Sequence, residues 1–452
     1  MCHGPLSGKI IRFAIPLMMA NLLTLMFHAA DLIVLGQFAD SKSMAAVGAA
    51  PAFTNLLLNL FWGVSAGINV LVARFTGAKD SKNVSRTVHT AAAIGCYGGI
   101  FMTVLGLVIT KPVLRMMMVP DEIMDQAALY MWIWCLGIPF MIFYSFGSAV
   151  LRSIGDTKRP LIFMVIAGIV NVVLNMIFVI CFKWDVAGVA VATKLSNVLS
   201  AVLVLRALAH TGGAYAVTWR KFRITWPILK EMLMLGLPSG VQGMLFSVSN
   251  IIIQSSINKF GAYAIAGSTA ALQLEGMVHT SFTALALAVV SFVGQNHGAK
   301  KYKRIMRSIL LCMTYAVSLA IILIAVFHVF KRPLLAIFNP DPKVIEWGLI
   351  RINYQMTFYF LLALMEVISG SLRGLGYAFG PTIVTLMGAC VFRVFWVFFI
   401  FPHYGTMENL MLSYPVSWTL VCLVNGVMLF VICRRMLKRA KARQFDDLTV
   451  KK

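Results

Sequence analysis

The sequence is poor in charge, and poorest in negative charge. Only 12% of its 452 residues are charged, and Asp and Glu together number 16 against 39 Lys and Arg. An ordinary soluble domain carries about 25% charged residues, so most of this chain does not face water. Motifs of catalysis are missing as well. No H-E-x-x-H is present, and the eight histidines are dispersed. The one string resembling a nucleophile elbow, GVSAG at Gly63–Gly67, lies inside an apolar run, where the strand-to-helix turn that such an elbow needs has no place. Eight cysteines (Cys2, Cys96, Cys135, Cys181, Cys312, Cys390, Cys422 and Cys433) form no C-x-x-C pair and stand mostly in apolar runs. They read as small core residues rather than disulfides or zinc ligands. No stretch outside the apolar runs combines dense Lys/Arg with aromatics, so the formal net charge of +23 does not point to nucleic acid. An enzyme and a cofactor are therefore not expected.

What is present is apolar. Hydrophobic residues make up 60% of the chain, enough at roughly 20 per span for about twelve or thirteen membrane helices. The runs fall at about 11–37, 44–72, 88–110, 127–150, 161–182 and 186–208, and again at 232–257, 263–293, 305–330, 346–372, 381–402 and 411–433. The fold class is thus an all-α polytopic membrane protein of twelve transmembrane helices. No small-residue cleavage site precedes the first apolar run, so that span is read as retained. The even-numbered loops, the two termini and the span ends that adjoin them hold 28 of the 39 Lys and Arg, and the odd-numbered loops hold 8. The bias places both termini in the cytoplasm, with the basic tail from Arg434 to Arg443 beside the inner leaflet.

The longest hydrophilic break, 209–231, divides an N-terminal six-helix lobe (1–208) from a C-terminal one (232–433), with a basic cytoplasmic tail at 434–452. The halves match each other at one constant offset. TGAKDSK (Thr76–Lys82) lies on HGAKKYK (His297–Lys303), and LRSIGDTKRP (Leu151–Pro160) on LRGLGYAFGP (Leu372–Pro381); with a slip of a single position, Pro16 lies on Pro238. Six helices per repeat preserve orientation, so the repeats are parallel.

These loops, with AADLIVLGQF at the end of the first run and NVVLN in the fifth, resemble the MATE family of multidrug and toxic compound extrusion transporters over essentially the whole chain. The resemblance implies secondary active export of organic, often cationic compounds, driven by inward Na+ or H+ through alternating access of two lobes. Location in the cell membrane, action as a monomer and small organic cations as partners are expected accordingly. A lipid-linked oligosaccharide flippase of the same superfamily is the alternative.

Asp31, Glu275 and Glu366 are the acidic residues deep in the apolar runs, where an ionisable side chain is costly and a functional candidate by default. Asn171 and Asn175 share one face of the fifth run, and Thr193 stands in the sixth. One carboxylate with amide and hydroxyl oxygens suits a hard monovalent cation. The resemblance carries a cation or proton site to Asp31, Asn171, Asn175 and Thr193, with Na+ held by the first three. Some relatives have Asp where Asn175 stands, which leaves Na+ against H+ open. His28 would modulate Asp31 or merely pack, and Lys194 would pair with Asp31 or snorkel.

In the second half, Glu275 and Glu366 resemble the acidic residues of the family's C-terminal lobe, and Arg393 is the expected counter-charge of one of them, which leaves the other free to hold an organic cation or a proton; a purely structural pair of Arg393 with Glu366 is the alternative. Three deep acids against this one Arg favour cationic cargo. Gln242, Asn250 and Gln254 fall on one helical face and are candidate cavity residues. Pro16 and Pro238 each remove a backbone hydrogen bond from the first helix of a repeat, and Pro16 is a candidate hinge.

Overall fold

The computed structural model describes residues 1–38, 51–116, 121–218 and 222–449, and among them every regular element is helical. The first repeat runs through α1 (Leu6–Phe38), α2 (Pro51–Gly77), α3 (Ser81–Met116), α4 (Asp121–Leu136), α5 (Ile138–Ile154), α6 (Lys158–Asn175) and α7 (Asp185–His210). The second runs through α8 (Trp226–Asn258), α9 (Ala262–Gly298), α10 (Tyr302–Val329), the short α11 (Lys331–Phe338), α12 (Pro342–Tyr354) and α13 (Tyr359–Gly374). It ends with the span α14 (Phe379–Tyr404) and with α15 (Met407–Thr449). Eleven helices are long and apolar enough to cross a membrane, and the pair across α4 and α5, bent by 43°, makes a twelfth. The bend sits at Gly137 and Pro139, where proline at the start of α5 cannot continue the hydrogen bonding of α4. The equivalent span of the second repeat is also interrupted, by a turn of 3-10 helix at Met356–Phe358 between α12 and α13.

Duplication is written into the backbone. Lys79 and Lys300, at matching positions of the two repeats, both adopt left-handed φ (58° and 56°), and Gly155 and Gly376 do so at 102° and 93°. Each pair closes its helix with the same bonds: Gly155 N–H donates to Arg152 O and Asp156 N–H to Leu151 O, as Gly376 does to Arg373 and Tyr377 to Leu372. Glycine serves there because a side chain is strained at such φ.

The register changes once inside the fifth span of the repeat. Buried Ala167, Gly168, Asn171, Asn175 and Val179 correspond to buried Ala389, Cys390, Arg393, Val397 and Phe401, each one position later than the offset that pairs Lys79 with Lys300. One extra residue has entered the second copy, and a π-helical stretch at Leu386–Val391 absorbs it, as π-bulges absorb single insertions. A second π-helical stretch, Trp396–Ile400, has its counterpart at Met176–Cys181 in the first copy. By the last span the original offset has returned, with Val186, Val189, Ala190 and Ser196 matching Met407, Leu410, Met411 and Ser417, all buried.

Two compact units result, one of Ile15–Gly240 and one of Met1–Ala14 with Val241–Lys452. The divisions fall next to Pro16 and Pro238, so the first helix of each repeat is shared between units at its proline. In the first unit, α2 and α3 pack on α5, and α5 and α6 on α7. The start of α8 packs on α2 backbone to backbone: a Cβ on Gly63 would lie 2.4 Å from Gly240 N and one on Gly236 2.5 Å from Gly63 O. GVSAG is therefore a helix-contact motif that lets two backbones meet. The segment after α7 is fixed to α3, where Thr218 N–H donates to His89 Nε2 at 3.1 Å and Thr225 N–H to Thr90 Oγ1 at 3.1 Å. In the second unit, α9 packs on α10, α12 and α13, and α13 on α15. The amino-terminal residues are held there too: Lys301 Nζ donates to Cys2 O and Arg304 to the carbonyls of Met1 and His3.

Candidate functional site

The first unit gathers four polar side chains from three helices. Asp31 lies on α1, Asn171 and Asn175 one turn apart on α6, and Thr193 on α7. Asn175 Nδ2 donates to Asp31 Oδ1 at 2.5 Å and to Asn171 Oδ1 at 3.3 Å. Asn171 Nδ2 donates to Thr193 Oγ1 at 3.2 Å, and Thr193 Oγ1 stands 3.5 Å from Asp31 Oδ2. Asn171 and Asn175 are buried and Asp31 is half-buried. Asn175 Oδ1 is buried with no hydrogen-bond partner. An orphaned acceptor beside a carboxylate is a cost the native state carries unless a donor or cation meets it.

The donor set fits a monovalent cation. Asp31 offers two oxygens, and Asn171, Asn175 and Thr193 one each, all within this one cluster. Turning the Asn175 amide over would exchange its donor for the unpaired Oδ1 and add an oxygen ligand beside the charge. No group of three His, Cys, Asp or Glu gathers among the described residues, and within this cluster Asp31 supplies the carboxylate. His28 lies on α1, and its side chain is outside the described residues. Lys194 neither pairs with Asp31 nor snorkels: it is buried, with its ammonium 4.8 Å over the Trp134 ring and 3.6 Å from Met141 Sδ.

Charges in the second unit pair differently from the sequence expectation. Glu275 on α9 is held by Arg351 on α12, with Nε on Oε1 at 2.9 Å and Nη2 on Oε2 at 3.0 Å, and Gln355 Nε2 adds a third bond at 3.0 Å. Arg351 Nη1 reaches Ser268 Oγ at 2.9 Å, so both ions are bonded and sealed, at 2% and 4% exposure. Glu275 is neutralised where it stands. A carboxylate already held bidentately by a guanidinium is a structural pair first.

Arg393 is the counter-charge of neither glutamate, and that expectation is corrected. Its position on α14 turns it toward α15, where Nε donates to Ser417 Oγ at 2.8 Å and the guanidinium lies 4.2 Å over Tyr414 and 5.8 Å from Trp418. Glu366, on α13, faces α9 instead and has His279 Nε2 3.8 Å from its Oε1. Arg393 is 2% exposed and Nη2 has no partner. Burying an unpaired ion costs several kcal/mol, which a neutral hydroxyl acceptor and aromatic faces worth about 2 kcal/mol do not clearly offset. The comparison of three deep acids with one deep Arg is corrected as well, since Arg351 is a second deep Arg and cancels Glu275.

Residues Arg351, Gln355, Ser268 and His279 were missed in the sequence because each stands among apolar residues without a motif; only a charge inside a predicted span marked Arg351. Of the cavity candidates on α8, Gln254 donates to Asn258 Oδ1 at 3.0 Å, Asn250 is exposed and Gln242 half-buried. Pro16 lies inside α1, which continues helically through it.

The MatE family model matches residues 16–177 and 238–399, once per repeat, each match beginning at the proline of the first helix. Among curated proteins, the probable multidrug resistance protein YoeA of Bacillus subtilis (strain 168) is 24% identical over 437 residues, 94% of this chain and 94% of its own. The FAD transporter of Shewanella oneidensis is 22% identical over 459 residues, 99% of each chain. Among solved structures, the outward-facing conformation of a multidrug resistance MATE family transporter of the MOP superfamily superposes with a TM-score of 0.89 at 22% identity, covering 96% of this chain and 97% of that one. That likeness concerns the fold. The paired matches, over a duplicated set of helices long enough to cross a membrane, make this chain a member of the MatE family of multi-pass, non-enzymatic transporters.

Proposed function

We propose that this transporter is a secondary active exporter of organic, cationic or amphiphilic compounds from the cell, driven by inward movement of Na+ or H+ through Asp31. The single observation that carries the reading is the cluster of Asp31 with Asn171, Asn175 and Thr193, in which Asn175 Oδ1 has no partner. Relatives named as multidrug resistance and multidrug export proteins support export of organic compounds.

The local chemistry follows from charge. Without a cation, Asp31 takes its hydrogen bond from the Asn175 amide. Arrival of a proton or Na+ cancels the carboxylate's charge; in the Na+ case the amide turns to present oxygen, drawing α6 and α7 toward α1. Pro16 stands about four turns before Asp31 on the same helix, where a missing backbone bond makes bending cheap. A ligand biases two conformations only through its differential affinity for them, and the change from an N–H donor to an oxygen ligand at Asn175 supplies such a difference.

The lipid-linked oligosaccharide flippase is kept as the second reading on the buried Arg393 of the second unit, which no carboxylate pairs among the described residues. The test is accumulation of a fluorescent organic cation in cells bearing the protein, with the Na+ and pH gradients collapsed separately. Efflux lost with one gradient names the coupling ion, and Asp31→Asn is expected to abolish gradient-driven efflux at unchanged expression. Full efflux by that variant overturns coupling at Asp31; cation levels indifferent to the protein, with flipped glycolipid dependent on it, favour the flippase.

A further inference from the structure

We propose that the second repeat turns its copy of the cation cluster into an anion site, with the Arg393 guanidinium as the binding group. The repeat register places two members of the second cluster on positions of the first, while the counterparts of Asp31 and Asn175 are the apolar Ile253 and Val397. Asn171 corresponds to Arg393 in the shifted register of the fifth span, and Thr193 to Tyr414 in the restored register of the sixth. Where the first copy sets an amide against a hydroxyl, the second sets a guanidinium over a phenol ring, at 4.2 Å. Tyr130 likewise corresponds to Arg351, whose own carbon lies 5.9 Å from the same Tyr414 ring. Polarity is thus inverted between copies: one carboxylate among neutral oxygens in the first, two guanidiniums with one carboxylate in the second.

That carboxylate is already committed. Both oxygens of Glu275 are bonded to Arg351, which also satisfies its remaining terminal nitrogen on Ser268. Arg393 is left with one neutral acceptor, Ser417 Oγ, and an unpartnered Nη2 on a side chain 2% exposed. No carboxylate forms an ion pair with it among the described residues. The helix that carries it is irregular on both sides, with π-helical stretches at Leu386–Val391 and Trp396–Ile400, and such interruptions recur at functional sites. A planar fork with a free N–H in an aromatic surround suits a singly charged, weakly hydrated anion. Two sources share that chemistry: a halide, or the carboxylate of an organic ligand.

The experiment uses the full-length protein in lipid nanodiscs at constant ionic strength, with isethionate as reference anion. Bromide and benzoate are titrated separately against the thermal unfolding midpoint of the wild type, of Arg393→Gln and of Arg332→Gln, which removes an exposed guanidinium. The midpoint of the wild type and of Arg332→Gln is expected to rise with one of the two anions, because a ligand bound to the folded state alone stabilises it. Arg393→Gln is expected to bind that anion about tenfold or more weakly. A response to bromide identifies a halide site, and a response to benzoate alone a carboxylate subsite. Equal responses in wild type and Arg393→Gln, or none in the wild type, overturn the proposal. Should Arg393→Gln fail to fold, anomalous scattering from crystals of the wild type grown in bromide and, separately, in 4-bromobenzoate decides: a peak at Arg393 with either supports the site, and its absence with both at saturation overturns it.

Discussion

At the scale of residues, the two repeats solve the burial of charge in opposite ways. Asp31 is compensated by neutral donors, an amide and a hydroxyl, which leave it free to exchange a partner. Glu275 is compensated by a full positive charge with both oxygens occupied. On the proposed reading the first arrangement responds to a visiting ion and the second resists one. Removing one member of a buried pair strands the other, at a cost of about 3–5 kcal/mol. Glu275→Gln is therefore expected to lower the unfolding midpoint sharply, because Arg351 loses its charged partner while Ser268 stays bonded to it. Glu275→Gln combined with Arg351→Met should recover most of that loss, measured by thermal unfolding in detergent. Equal destabilisation by the single and double variants would show that the pair is not coupled.

At the scale of elements, close approach and interruption matter more than hydrophobicity, since nearly every span is apolar all round. The contact of α2 with the start of α8 depends on glycine at Gly63, Gly67 and Gly236, where an added Cβ meets backbone atoms rather than a flexible side chain. Backbone cannot yield as a side-chain tip does, so Gly63→Leu is expected to separate the two helices. Folded yield by size-exclusion chromatography should fall severalfold, while Gly276→Leu, at an open position, leaves it unchanged. Proline acts on a different property. Pro16→Ala restores a hydrogen-bond donor to α1 and is expected to raise its resistance to amide exchange around residues 12–20 while reducing transport rate. Unchanged exchange and rate would make Pro16 a static feature. The sharing of α1 and α8 between compact units at their prolines gives this prediction its structural basis.

At the scale of the whole molecule, an even number of spans returns the chain to the side on which it began, and from the skew of Lys and Arg we propose that this side is the cytoplasm. Tags fused at both ends are expected to stay inaccessible to an impermeant reagent in intact cells and to react after permeabilisation. Reaction of either tag in intact cells would refute the assignment. The clamp of Lys301 and Arg304 on the carbonyls of Met1, Cys2 and His3 is built from charges counted on that same side.

Composition alone made this a membrane protein, because backbone in lipid must satisfy its own hydrogen bonds and long apolar runs can do so only as helices. The repeat, its paired loops at Leu151–Pro160 and Leu372–Pro381, and the grouping of Asp31 with Asn171, Asn175 and Thr193 were all legible in the sequence. Local spacing and the family likeness sufficed for them. What the sequence left open was partnership among buried charges. Glu275 with Arg351, Glu366 with His279 and Arg393 with Ser417 and Tyr414 are choices between helices far apart in the chain, set by which face of each helix turns inward. A single inserted residue between Pro381 and Ala389, absorbed as a π-bulge, shifts the register of that face by one position relative to its twin, and no count of apolar residues registers such a shift.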